Sequence, residues 1–280
     1  MNPSTRTACI TGATSGLGRA FARQLAQEGY NLILTGRREA ELHALATDLA
    51  GPANDAGSTD RSARSVRVLI GDLTDPAVRL NIADTLATCV DLSLFIHNAG
   101  FGHPDGFFST SAEDLRDMGE VHMQCAVQLV RAAYPAIQKF GKTSPAPPSG
   151  IILVSSLAAF LPAPGPAMYT ASKHFLVGLG RALQPEAADA GVPIQVLCPG
   201  FTHTEFHDRL NWSAESRKNR GIARWMDADD VARRSLRALH RRRGRDPVYI
   251  PGFSNRLIRF LTRLLPWSLY RRIVASRKFL

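Results

Sequence analysis

Residues 7–29 read TACITGATSGLGRAFARQLAQEG: a short apolar run, a turn holding Gly12, Gly16 and Gly18, and a helix-length segment closed by Gly29. Glycines at a strand-to-helix junction let backbone N–H groups approach an anion closely, and the N-terminus of the following helix favours negative charge. The turn residues Gly12, Thr14, Ser15, Gly16, Leu17 and Gly18 are therefore candidates for cradling a pyrophosphate. A GxxxGxG spacing alone also fits a tight turn with no ligand. Its place between a strand-like run and a helix favours the binding reading.

Runs of the same kind recur: NLILTGR (31–37), VRVLIGDL (66–73), LSLFIHNAG (92–100), GIILVSS (150–156), PIQVLCPG (193–200) and DPVYIPG (246–252), with helix-length segments between them. Nearly continuous apolar strands suit a parallel sheet covered on both faces. The expected fold is α/β, a doubly wound parallel sheet of Rossmann type, with about seven strands in the order 3-2-1-4-5-6-7 and helices on both faces. Two polar stretches, 51–65 and the Pro-rich 141–150, read as surface excursions.

A chain of 280 residues can form one α/β core, and its 45% hydrophobic and 21% charged content excludes disordered and collagen-like classes. Cys9, Cys89, Cys125 and Cys198 show no CxxC or CxxH spacing and sit in apolar surroundings, so buried free thiols and a reducing, cytoplasmic setting are expected. There is no signal-like apolar stretch before the first strand and no apolar run of roughly 18 residues, so neither secretion by that route nor a spanning helix is expected. Charge is uneven: residues 231–280 hold 14 Lys and Arg against one acidic residue, Asp246, a net of +13, whereas the first 230 residues net −3.

The end of the second strand bears on the cofactor. A site for NAD wants a carboxylate there to bond the ribose 2′-hydroxyl; here Gly36 is followed by Arg37 and Arg38. Guanidinium groups pair with a 2′-phosphate, so NADP(H) is the expected cofactor, the alternative being that both arginines are solvated helix-start residues. Asp72 and Leu73 end the third strand where an adenine edge would lie, and Asn98, Ala99 and Gly100 end the fourth beside the ring.

In SSLAAFLPAPGPAMYTASK (155–173), Tyr169 and Lys173 are four apart and share a helix face. A nearby ammonium favours phenolate and would bring the tyrosine toward useful acid/base strength. Ser156 stands 13 residues before Tyr169 at a strand end, where it could bond a substrate carbonyl oxygen.

With TGATSGLG, NAG, a serine before YTASK, and PGFTHT, residues 6–252 resemble the short-chain dehydrogenase/reductase family. That resemblance implies nicotinamide-dependent hydride transfer between a ketone and a secondary alcohol. Tyr169 would be the proton donor and Ser156 would polarise the carbonyl. Lys173 would hold the nicotinamide ribose and lower the tyrosine pKa. Asn98 would sit by the ribose, and Pro199, Gly200, Thr202 and Thr204 would border the carboxamide. A homodimer or homotetramer is expected of such a chain.

One position departs from the family pattern. In MGEVHMQCA (118–126), His122 stands 24 residues after Asn98, where the family usually carries an asparagine that supports a helix irregularity and a water linked to the lysine. Three readings stay open: His122 acts as a catalytic relay, it merely fills the space, or the site is impaired.

Residues 201–226 are expected to cover the substrate. Phe201, Phe206, Trp212 and Trp225 suit a medium-to-large apolar ketone, β-ketoacyl or steroid-like, against the alternative of ordinary lid packing. His203 and His207 have no third ligand nearby, so no metal is expected. A catalytic domain over 1–252 is followed by 253–280, whose helical wheel sets Leu257, Ile258, Phe260, Leu261, Leu264 and Leu265 opposite Arg256, Arg259 and Arg263. Such a helix could lie peripherally on a membrane or pack on the body or an oligomer interface; nucleic-acid binding is not expected, for want of a recognition motif. Pro185 should kink or end its helix. The expected activity is NADPH-dependent ketone reduction or its reverse, the alternative being a weakened NADP(H)-binding sensor or scaffold.

Overall fold

The computed structural model describes residues 6–50, 64–143, 149–208, 210, 213, 219, 221–241 and 246–275. In chain order its elements are β1 (Thr7–Ile10), α1 (Gly16–Gln27), β2 (Asn31–Gly36), α2 (Glu39–Leu49), β3 (Val66–Ile70), α3 (Pro76–Thr88), β4 (Leu92–His97) and α4 (Ala112–Gly119). A π-turn at Glu120–Gln124 leads into α5 (Cys125–Thr143), then β5 (Gly150–Val154), a 3₁₀ turn at Leu157–Phe160, α6 (Ala167–Asp189) and β6 (Ile194–Leu197). The rest comprises β7 (Thr202–His203), β8 (Met226–Asp227), α7 (Ala228–Arg241), β9 (Val248–Tyr249), α8 (Phe253–Leu264) and α9 (Trp267–Ala275).

The seven-stranded sheet runs β3-β2-β1-β4-β5-β6-β9, with every pairing parallel. This is the expected doubly wound order, its last strand being the two-residue β9. Strand residues alternate between two cores, as the two-residue period of a strand requires. Cys9, Phe95, Ile151 and Leu153 join Ile82, Leu86, Leu129 and Val177 from α3, α5 and α6 on one face. Ala8, Ile10, Leu94, Ile96 and Ile152 join Phe21, Leu25, Leu42 and Leu236 from α1, α2 and α7 on the other. Strands β1, β4, β5 and β6 are buried throughout, which explains their lack of polar alternation.

Local signals set the helix starts. Asp75 accepts from the Ala77 N–H at 2.8 Å with Pro76 in the first turn, and Ser111 accepts from the Asp114 N–H at 3.0 Å. Pro185, expected to kink or end its helix, lies inside α6 near its C-terminal end, and the helix continues to Asp189. All four cysteines are free; Cys9, Cys125 and Cys198 are buried and Cys89 is half-buried. Among the described residues no helix is long and apolar enough to cross a membrane.

Candidate active site

The turn after β1 and the end of β4 meet at the point where the strand order reverses, the usual ligand crevice of such sheets. Gly12 and Gly16 have φ of 66° and 50°, a region other residues rarely enter. At Gly18 a Cβ would lie 2.2 Å from the Gly12 carbonyl oxygen, so helix α1 can approach the turn only with glycine there. The Thr11 hydroxyl accepts from the N–H groups of Asn98 and Ala99, both at 3.0 Å. The Asn98 amide donates to the carbonyls of Thr11 and Gly12, also at 3.0 Å. Asn98 thereby clamps the glycine turn to β4.

Helix α1 opens with no side-chain cap from Ser15. Its Gly16 N–H instead donates to the Glu205 carboxylate at 2.9 Å, and Arg19 lies 3.6 Å from the same carboxylate. Arg19 also donates to the Thr14 carbonyl. A negative group thus already stands on an orphan donor at the positive end of α1, where an anionic ligand would dock. Neither Arg19 nor Glu205 emerged from the sequence. Arg19, directly after Gly18, was a readable signal; Glu205 was not, because it meets the turn only through the fold.

Arg38 donates to the Thr14 hydroxyl at 2.9 Å and to Glu41 at 2.8 Å, so its guanidinium is held at the glycine turn. Arg37 bonds Asp72 at 3.0 Å. Burial opposes ionisation of Asp72, but bonds from Thr74 and Arg37 outweigh it and hold the carboxyl below its usual range. The carbonyl of buried Leu73 accepts from Arg79 at 2.7 Å.

Ser156 ends the loop after β5, and its hydroxyl accepts from the Ala158 N–H at 3.1 Å. Tyr169 and Lys173 lie on one face of the first turns of α6, and Ser156 is near enough to the tyrosine hydroxyl to favour its ionised form. Lys173 Nζ donates to the Val154 carbonyl at 3.0 Å and lies 5.7 Å from the centre of the Tyr169 ring. The expected lowering of the tyrosine pKa is not found. Burial pushes Tyr169 up to about 12 against the opposing influence of Ser156, and burial brings Lys173 down to about 8. An enclosed, weakened ammonium engaged with a backbone carbonyl does not offset the desolvation of the phenol.

His122 is fully buried within the π-turn, so the helix irregularity is present with a histidine in it. The Phe101 N–H donates to its Nε2 at 2.9 Å, and its Nδ1 is 2.8 Å from the Ser172 hydroxyl, which donates to the Tyr169 carbonyl at 2.9 Å. An Nε2 that accepts is unprotonated, so this network assigns the hydrogen to Nδ1. Burial, then the charges of Lys173 and His97, hold the imidazole pKa well below its ordinary 6.5. Gly100 fits between these groups: a Cβ there would lie 2.9 Å from His122 Nε2 and 3.0 Å from Lys173 Nζ.

The segment after β6 closes this arrangement. The Pro199 carbonyl accepts from the Leu157 N–H at 2.8 Å and the Gly200 carbonyl from the Thr202 hydroxyl at 3.1 Å. Thr204 meets the glycine turn, since a Cβ on Gly16 would lie 2.9 Å from its methyl. Phe206 sets its ring 5.6 Å from that of Tyr169. Phe201 stacks on Trp225 at 5.2 Å, and His203 and His207 pack on the same indole at 5.0 and 4.6 Å. Trp212 lies outside the described residues.

Comparison with known proteins agrees with this geometry. The sequence model of the short chain dehydrogenases matches residues 6–214. The chain is 31% identical over 258 residues to the 1-deoxy-11-beta-hydroxypentalenate dehydrogenase of Streptomyces exfoliatus, covering 91% of this chain and 85% of that one. A short-chain dehydrogenase from Sphingobium yanoikuyae, solved in complex with NADPH, is 25% identical with a TM-score of 0.75, over 94% of this chain and 97% of that one. A short-chain dehydrogenase/reductase from Burkholderia phymatum, solved in complex with NAD, is 26% identical with a TM-score of 0.73, over 94% of each.

Proposed function

Because the chain belongs to the short-chain dehydrogenase family, an oxidoreductase family working between alcohols and ketones, we propose that it reduces a medium-to-large apolar ketone with NADPH, or runs the reverse oxidation. The observation that carries this is the placement of Tyr169 and Lys173 on one face at the start of α6, with the buried Lys173 Nζ 5.7 Å from the centre of the phenol ring. A phenol is protonated at neutral pH and can donate to a carbonyl oxygen gaining negative charge.

A nicotinamide cofactor, when bound, supplies the hydride. The glycine turn and the N-terminus of α1 would hold its pyrophosphate, and the Glu205 carboxylate on the Gly16 N–H marks that donor as an anion site. Preference for a 2′-phosphate rests on Arg38 beside Thr14 and on the absence of a carboxylate at Gly36. Asp72 and Leu73 would border the adenine, and Asn98, Ala99 and Gly100 the ribose side; Pro199, Gly200, Thr202 and Thr204 would border the carboxamide. Ser156 orients the substrate carbonyl, Tyr169 delivers the proton, and Lys173 sits buried where a ribose hydroxyl would reach it. His122 is a positioning residue: neutral, it holds the Phe101 backbone and, through Ser172, the start of α6. Phe206 against Tyr169, with Phe201 and Trp225 behind, favours an apolar substrate.

The test is oxidation of NADPH and of NADH with a panel of apolar ketones, beside Tyr169→Phe. Turnover with NADPH, reduced by about two to four orders of magnitude in the variant, is the expected result. Tight NADPH binding with no turnover of any ketone would point instead to a cofactor sensor.

A further inference from the structure

Helices α8 and α9 leave outward a large part of the side that their composition would normally bury. Phe253 is 74% exposed, Phe260 60%, Leu264 64% and Trp267 65%, with Leu261 and Leu269 also open. The inward side of α8 carries polar groups beside Ile258, which packs against the core. Asn255 is buried against Gly200, where a Cβ would lie 2.3 Å from its amide oxygen, and it donates to the Pro251 carbonyl at 2.8 Å. Arg259 stacks 4.1 Å over the Phe160 ring, and the Tyr270 hydroxyl donates to the Pro162 carbonyl at 2.9 Å. The two helices are thus seated by specific contacts, and no described residue covers the apolar stripe.

Exposed Arg256, Arg263, Arg271 and Arg272 accompany that stripe, and the sequence holds no acidic residue after Asp246. We propose that α8 and α9 form a docking face for an anionic lipid bilayer, with Phe253, Phe260, Leu264 and Trp267 entering the interface and the arginines meeting the headgroups. Charge decides between occupants. A second copy would bring arginine-rich, acid-free surfaces together, and a nucleic acid would leave the apolar stripe in water. The inward side of α8 meets the turn that follows Ser156, where Arg259 packs on Phe160.

The test is co-sedimentation of the full chain, without cofactor or substrate, with vesicles of phosphatidylcholine plus phosphatidylglycerol and with phosphatidylcholine alone. Binding to the mixed vesicles, weakened by salt and weak on the neutral ones, is expected. Each of Arg263→Gln and Arg271→Gln should lower the partition coefficient about fivefold. The double variant Phe260→Glu/Leu264→Glu should abolish binding while its thermal midpoint and NADPH affinity stay unchanged, since both side chains are exposed. Full binding by that double variant, equal binding to both vesicle types, or no binding by the parent chain overturns the proposal. So does concentration-dependent dimerisation that the double variant loses while vesicles bind neither form.

Discussion

Replacing His122 by asparagine should change the acid stability of the protein far more than its chemistry. The ring is neutral in the fold, and burial is the main reason, followed by the positive charge of Lys173 and then His97. In the unfolded chain the same imidazole takes a proton as pH falls through about 6.5. Protons then bind the unfolded state in excess, so the stability owed to this site is complete above that pH. Below it, the loss runs at about 1.4 kcal/mol per pH unit, or about 2 kcal/mol by pH 5. Asparagine cannot titrate and removes this slope. At neutral pH it should cost about 1–2 kcal/mol, because the shorter amide cannot satisfy both the Phe101 N–H and the Ser172 hydroxyl in the ring's positions. Denaturant unfolding of both proteins from pH 8 to 5 should therefore show a gap that narrows on acidification. The pH profile of kcat/KM should lack any His122-dependent limb near neutrality. A limb near pH 6.5 in the parent that disappears in the variant, or a stability gap that does not vary with pH, would refute the neutral positioning role and restore a proton relay.

Three further outcomes follow from the cofactor side of the site. Glu205→Ala frees the Gly16 N–H and removes a carboxylate from the pyrophosphate position. Discounted for its partial exposure, the lost charge-assisted bond is worth about 1 kcal/mol, so calorimetry should find NADPH bound about fivefold tighter, and unchanged or weaker binding would show that the carboxylate does not compete. Arg38→Ala should weaken NADPH roughly tenfold while leaving NADH little affected; an equal loss of both would assign Arg38 to holding the turn through Thr14 alone. Gly18→Ala places a methyl 2.2 Å from the Gly12 carbonyl oxygen and 2.6 Å from the Asn98 amide, so the turn must open, and cofactor binding should be lost in equilibrium titration.

Most of the framework was legible in the sequence because its physics is local or periodic. The runs at 92–97, 150–154 and 194–197 read as buried parallel strands, and they are buried at every position. The glycine turn and the Ser156, Tyr169 and Lys173 group were readable from spacing, and Asn98 from the family resemblance. The failures share a cause in long-range packing. The β7–β8 pairing of Thr202–His203 with Met226–Asp227 joins two-residue segments too short to carry a period. The Tyr169 pKa depends on an enclosure that no i, i+4 relation encodes. His122 was visible as a departure from the family pattern, but its hydrogen position follows from the Phe101 N–H, 21 residues back in the chain, and Ser172, 50 residues on.

The C-terminal helices show the same limit most sharply. A helical wheel yields an apolar stripe and a basic stripe, and the ordinary inference is that the apolar one faces the protein. Which way a helix faces is set by what the body offers it. Here the body offers a space above Gly200 that fits an amide, the face of Phe160 that fits a guanidinium, and the Pro162 carbonyl that takes a phenol hydroxyl. Each of these selects a polar or amphipathic side chain, Asn255, Arg259 or Tyr270, and so leaves Phe253, Phe260, Leu261 and Leu264 outward while Ile258 packs on the core. Replacing Gly200 by a larger residue should displace Asn255 and loosen α8 without altering its periodicity. The orientation of the helix is thus decided at a glycine more than fifty residues before it.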